Sequence, residues 1–253
     1  MTKQILALKN VHVRVNRGTN NEKEILRGIN LDLAQGDFVT IIGTNGAGKS
    51  TLFNTIAGSL PVSAGQLLFK GQDITFEKEI SRTRFLARVF QDPKLGTAPR
   101  MTVAENILLA QGRGKHRLLR TRRLKEQLPA FTKLAKTMNN GLEKHMLDFV
   151  ETLSGGQRQA LNFLMATMTK PDLLLLDEHT AALDPRTSQN LLAQTQKTII
   201  ENHLTALMIT HRLTDALQYG NRLLVLKDGQ VAGDFKAKEK QQLTAADLYQ
   251  FFN

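Results

Sequence analysis

Cysteine and tryptophan are absent from this sequence, and tyrosine occurs only twice. Without a thiol the chain can form no disulfide, no iron–sulfur cluster and no thiolate zinc site, which fits a reducing compartment. Nowhere does it hold the ~20 apolar residues that a membrane span needs. Residues 1–9 offer no apolar run of signal-peptide length, so the expectation is a soluble chain. Internal repeats and low-complexity linkers are also missing. At 253 residues the chain has room for one large α/β domain or two small ones, and it is long enough to bury a sizeable core. Residues 1–37 contain no Phe, Tyr or Trp.

Acidic residues are in deficit. Thirty-four Lys and Arg against 23 Asp and Glu leave a net charge of +11, which favours a polyanionic partner: nucleic acid, acidic lipid headgroups or a nucleotide. Part of the surplus is concentrated in Arg113, Lys115, Arg117, Arg120, Arg122, Arg123 and Lys125, with no acid among them. A solvated helix face explains such a run, as does a surface resting on anionic lipid.

What is present begins with Gly43-Thr44-Asn45-Gly46-Ala47-Gly48-Lys49-Ser50-Thr51, which fits the phosphate-binding pattern Gly-x-x-x-x-Gly-Lys-[Ser/Thr]. An apolar strand, Phe38 to Ile42, has to stop here and the chain has to wrap a polyanion. The glycines permit positive φ and keep Cβ atoms out of the way. The loop's N–H groups then form an anion nest, and a helix opening at Lys49 adds the positive end of its dipole. Lys49 can reach terminal phosphates and the Ser50 hydroxyl can join a Mg²⁺ shell.

Along the chain, residues 5–15 alternate loosely and predict an edge strand, while Ile29, Leu31 and Leu33 predict a half-solvated antiparallel one. Gly58 and Pro61 end the helix after the loop. Leu67, Phe69 and Ile74 around Gly71 suggest a short hairpin. From 91 to about 160 the texture is helical, with Val103, Ile107 and Leu108 on one face and Leu118, Leu119 and Leu128 on another. Breaks are predicted at Pro99, 112–114, Pro129 and Gly141. Leu173 to Leu176 and Thr205 to Ile209 are continuous apolar runs following helices, the mark of buried parallel strands. Leu223 to Leu226 turns through Lys227-Asp228-Gly229 into Val231, a hairpin, and a short helical tail closes the chain.

Ser154 with Gln157 three residues later is a capping-box pattern, so Ser154-Gly155-Gly156-Gln157 predicts a second helix N-terminus suited to an anion. Asp177-Glu178 stands at the carboxyl end of a buried strand, where α/β sheets bind ligands.

Together with Gln91, Asp184 and His211, these stretches resemble the ATP-binding cassette (ABC) family over essentially the whole chain. In that family's terms Gln91 is the Q-loop residue, Leu153 to Gln157 the signature and Leu173 to Asp177 the Walker B strand. Glu178 is the catalytic carboxylate, 182–184 the D-loop and His211 the switch histidine. The resemblance implies a P-loop core with a mostly parallel sheet (1–90 and 162–253), an N-terminal antiparallel β subdomain and an inserted helical subdomain (91–161). It implies ATP and Mg²⁺, the nucleotide being held by Gly43, Asn45, Gly46, Ala47, Gly48, Lys49, Ser50 and Thr51, and by Ser154, Gly155, Gly156, Gln157 and Asp184. Ser50, Gln91 and Asp177 are the implied metal residues; Glu178, His211 and Gln91 the implied catalytic ones. The family's aromatic adenine platform is missing: Val15 takes its place by spacing, with His12 second, which implies weaker nucleotide affinity and looser base selectivity.

One P-loop and one signature per chain imply a homodimer, or a pseudo-dimer with a second cassette, in which each signature serves the other copy's nucleotide. The segments 90–93 and 101–106 resemble importer ATPases. With no span in the chain, the importer resemblance implies a separate membrane permease, a substrate-binding protein and a place on the cytoplasmic face of the membrane. The resemblance at Gly18-Thr19-Asn20-Asn21-Glu22 points to a bacterial system for an amino acid or similar small organic solute. The alternative is a soluble cassette ATPase acting on nucleic acid or ribosomes, which the positive charge invites. Against it stand the single cassette, the missing cysteines and the lack of a long heptad run.

Overall fold

The apolar alternation of the first third of the chain folds into strands that lead directly to the phosphate loop. A computed structural model describes residues 3–114 and 123–252. The leading segment contributes β1 (Gln4–Val15), β2 (Lys23–Ala34), β3 (Phe38–Gly43), α1 (Lys49–Ala57), β4 (Ala64–Phe69), β5 (Gln72–Asp73) and the single turn α2 (Glu79–Arg82). Next come β6 (Leu86–Val89), α3 (Val103–Gln111), α4 (Leu124–Lys136), α5 (Gly155–Thr167), β7 (Leu173–Asp177) and α6 (Pro185–Glu201). The chain ends with β8 (Thr205–Ile209), α7 (Leu213–Gln218), β9 (Arg222–Lys227), β10 (Gln230–Phe235), α8 (Ala237–Lys240) and α9 (Ala245–Tyr249). Contacts divide these into two units, residues 1–82 with 203–253 and residues 83–202.

In the first unit an antiparallel sheet has the order β2-β1-β4-β5. β1 is therefore interior, not the edge strand its loose alternation suggested. The cause is visible in its burial: Ile5, Leu6, Ala7 and Leu8 are all buried in succession, and register shifts between Leu8 and Val11 break the period of two. The half-solvated reading of β2 is correct, since Ile29, Leu31 and Leu33 are buried and their neighbours Asn30 and Asp32 exposed. The second set of strands in this unit runs β10-β9-β3-β8, with β3 parallel to both β8 and β9. Every residue of β8 is buried, as expected of a parallel strand covered on both faces. β9 and β10 form the predicted hairpin through Asp228 and Gly229, both at positive φ (50° and 79°), the backbone of a type I′ turn.

α1 is fixed at its far end by Arg82, which is only 2% exposed. Its guanidinium donates to the carbonyls of Thr55 and Ile56 (2.8 Å each), Ile74 (2.6 Å) and Thr75 (3.2 Å), and through Nε to Glu77 (3.1 Å). Thr55 and Ile56 lie in the last turn of α1, so a buried cation satisfies orphan carbonyls at the helix's negative end. Lys240 plays a similar part for β3: its ammonium donates to Thr40 Oγ1 (3.2 Å) and to the carbonyls of Tyr219 and Gly220.

In the second unit β6 and β7 pair in parallel, and Leu173 to Leu176 are fully buried. α5 supplies Leu161, Phe163 and Leu164 to this core. Pro129 does not break a helix: it lies inside α4. Proline removes one backbone donor, which orphans the carbonyl of Lys125, but both residues are exposed and water can take that carbonyl. Most of the basic run, together with Leu118 and Leu119, lies outside the described residues. Among the described residues no helix is long and apolar enough to cross a membrane.

Candidate functional site

The phosphate loop leaves β3 and enters α1 through Gly48, whose φ of +99° is the left-handed region that L side chains avoid. A Cβ there would also lie 2.8 Å from a Leu26 methyl. No side chain caps the N-terminus of α1. Its amino end, carrying the positive pole of the dipole, is left to a ligand. A Cβ at Gly46 would meet nothing within 4 Å, so the crest of the loop is open. Lys49 is buried at 6% exposure, its ammonium donating to the carbonyls of Gly43 (2.7 Å) and Thr44 (3.1 Å). The cation is thus folded back over the loop it serves, and Ser50 and Asn45 are exposed beside it. This is a cradle for a polyphosphate.

Val15 ends β1, half-buried and paired with Lys23. His12 is already occupied, with its ring nitrogens bonded to Glu24 (3.0 Å) and Asn10 (3.2 Å). His211 follows β8, exposed, after the buried Thr210.

In the second unit α5 opens as the capping box expected. The Gln157 N–H donates to Ser154 Oγ (3.3 Å) and the Ser154 N–H to Gln157 Oε1 (3.1 Å). A second helix end lies beside it. Asp184 caps α6 by accepting from the Thr187 N–H (3.0 Å), and hydrogen bonds from Thr187 hold its carboxyl below the usual carboxylate range. The two ends line a groove of about 310 Å³ with Asn140, Gly155 and Leu183. Gly156 is required by packing, because a Cβ would stand 2.6 Å from the Thr187 methyl.

Asp177 ends β7, 8% exposed, and Glu178 follows at φ 44°. A non-glycine residue held in this region is uncommon and marks a sharp backbone turn out of the strand. Gln91, just after β6, is exposed. Among the described residues no cluster of three His, Asp or Glu could cage a metal. A hydroxyl and single carboxylates suit Mg²⁺, which keeps its waters and takes phosphate oxygens.

Four residues escaped the sequence reading. Arg88 binds Asp177 Oδ2 at 2.6 Å from the neighbouring strand. His179 is buried, bonded to Thr195 Oγ1 (3.1 Å) and stacked on Phe163; burial pushes its pKa down to about 4, so it stays neutral. Gln159 and Asn162 on α5 donate to the carbonyls of Phe90 (3.0 Å) and Pro93 (3.1 Å), one on each side of Gln91. Their one visible signal was two amides, three residues apart, amid the apolar residues of α5.

Comparison with known proteins gives the family. The ABC transporter family model matches residues 26–181. The tyrosine transport ATP-binding protein of Clostridioides difficile (strain R20291) is 43% identical over 249 residues, covering 98% of each chain. The ADP form of MJ1267, an ATP-binding cassette of an ABC transporter, superposes with a TM-score of 0.81 at 26% identity over 99% of each chain. The dimeric post-hydrolysis state of the cassette MJ0796 with ADP and Pi gives 0.76 at 26% identity, covering 92% of this chain and 99% of that one. The chain belongs to the ABC transporter family, as an ATP-binding cassette ATPase.

Proposed function

We propose that two copies of this chain close head to tail around two ATP molecules and drive a small solute through a separate membrane permease. The observation that carries this is the groove at Ser154 and Asp184: two helix amino ends lie side by side there, inviting a phosphate that a second copy would bring. The dimer recorded for MJ0796 supports the arrangement. In this reading Gly43, Asn45, Gly46, Ala47, Gly48, Lys49, Ser50 and Thr51 hold one copy's triphosphate, and Val15 stands against its base. Ser154, Gly155, Gly156, Gln157 and Asp184 of the other copy complete the enclosure.

Bound Mg²⁺ would neutralise charge on the phosphates, with Ser50, Gln91 and Asp177 as the residues that hold it. Phosphoryl transfer to water needs positioning and charge stabilisation; Glu178 orients the water, and His211 and Gln91 complete the polar surround. The name of the tyrosine transport relative supports an amino-acid-type cargo. A permease and a substrate-binding protein then place the cassette on the cytoplasmic face of the membrane.

The test of the catalytic assignment is Glu178→Gln. ATP binding should persist while turnover falls about 10²-fold or more, the scale of losing one positioned catalytic group. Ordinary hydrolysis by the variant would move the role elsewhere. Transport is tested by co-expression with a cognate permease: uptake of labelled tyrosine or a related amino acid should require Lys49.

A further inference from the structure

Arg88 gives the Asp177 carboxylate a partner that the motif does not call for. It stands on β6 opposite Leu175 of β7. Side chains on a strand alternate faces, so Arg88 shares a face with Asp177, two residues further on. Its Nη2 donates to Oδ2 of Asp177 at 2.6 Å, and each side chain is only 11% exposed. The guanidinium also lies 4.8 Å from the centre of the Phe90 ring, a cation–π contact. Water therefore screens this pair poorly, and arginine, unlike lysine or histidine, does not discharge to relieve it. The carboxylate at the end of β7 is already compensated by a permanent cation before any metal arrives.

We propose that Arg88 is a positioning residue that sets the divalent-metal requirement of nucleotide binding. It occupies Oδ2 of Asp177 and leaves Oδ1 to accept a hydrogen bond from metal-bound water. Its own charge opposes the arriving cation. The carboxylate is thus held in one orientation, and more Mg²⁺ is needed than an unpaired aspartate would demand. This rests on the proposed assignment of Asp177 to the metal shell.

The test is a Mg²⁺ titration of nucleotide binding to the full chain, read with a fluorescent ATP analogue, alongside binding in EDTA and thermal unfolding. Arg88→Met and Arg88→Gln should each lower the half-saturating Mg²⁺ concentration about 10-fold or more, the least that removing a unit charge several ångströms from a divalent cation is worth even at the dielectric of water. Arg88→Lys, which keeps the charge, should stay within about twofold of wild type. Binding in EDTA should be the same for all three. Arg88→Gln keeps an N–H donor for Asp177 and carries the test if the methionine variant does not fold. An unchanged or raised Mg²⁺ requirement in the glutamine variant overturns the inference, as does a lysine variant that behaves like glutamine. Asp177→Asn separates the two layers. If it leaves the Mg²⁺ dependence untouched, the assignment of Asp177 itself fails. If it shifts that dependence while Arg88→Gln does not, only the role of Arg88 fails.

Discussion

The helix that begins at Lys49 and the helix that begins at Gly155 both offer an amino end that could receive a phosphate, but they differ in what satisfies that end beforehand. At α1 the cap is Gly48, which offers no side-chain oxygen, and a buried ammonium lies against the carbonyls of the loop. At α5 Ser154 and Gln157 satisfy each other. An uncapped end is stabilised by its ligand, because orphan N–H groups are costly to leave unmet. A self-capped end is complete on its own and can wait for a ligand carried by another copy. The first end depends on its ligand; the second is satisfied without one.

The sharpest way to break this contrast is Lys49→Ala. It removes the cation from the cradle and should lower ATP affinity by about 10²-fold or more, as expected for a charge-assisted contact in a sheltered site. Equilibrium binding of a fluorescent ATP analogue reads the loss. The same measurement on Ser154→Ala should show an affinity within about threefold of wild type, because in the proposed dimer that helix end serves the other copy's nucleotide.

The cradle's unit leans on a second buried lysine, and this one titrates. Burial lowers Lys240 from 10.5 to about 8. Between those values the unfolded chain holds a proton that the folded chain has shed. Stability therefore rises as pH rises from about 8 to 10.5, by about 3 kcal/mol. Below pH 8 both states are protonated and the contribution is flat. Denaturant unfolding at pH 8, 9 and 10 should show this gain in wild type relative to Lys240→Met; parallel curves for the two proteins would refute it.

The smallest effect concerns the self-capped end. Ser154→Ala should cost about 1 kcal/mol of stability, the usual worth of an N-cap, measured as a shift in the denaturation midpoint. A loss well beyond that would mean the serine supports more than its own helix.

Much of this contrast was legible in the sequence because it is local. The glycine spacing of 43–48 dictates the cradle, and the four-residue capping box dictates the other end. The leucine run at 173–176 and the Asp228-Gly229 turn were readable for the same reason: each is a short pattern with one physical solution. What escaped was of longer range or against the local rule. Arg88 and Asp177 lie 89 positions apart and meet only through strand pairing. Gln159 and Asn162 reach back 69 positions each to the backbone around Gln91. The interior position of β1 depends on its pairing with both β2 and β4, which its own sequence does not announce. Pro129 sits inside α4 because the exposed face there tolerates a missing donor.

The central claim is that one copy's uncapped cradle and another's self-capped helix hold a triphosphate between them. Multi-angle light scattering on Glu178→Gln, loaded with ATP and Mg²⁺, tests it most directly. Twice the mass of one chain is expected with ATP, reverting to a single chain with ADP. A single-chain mass at saturating ATP, persisting when the permease is supplied, would contradict it.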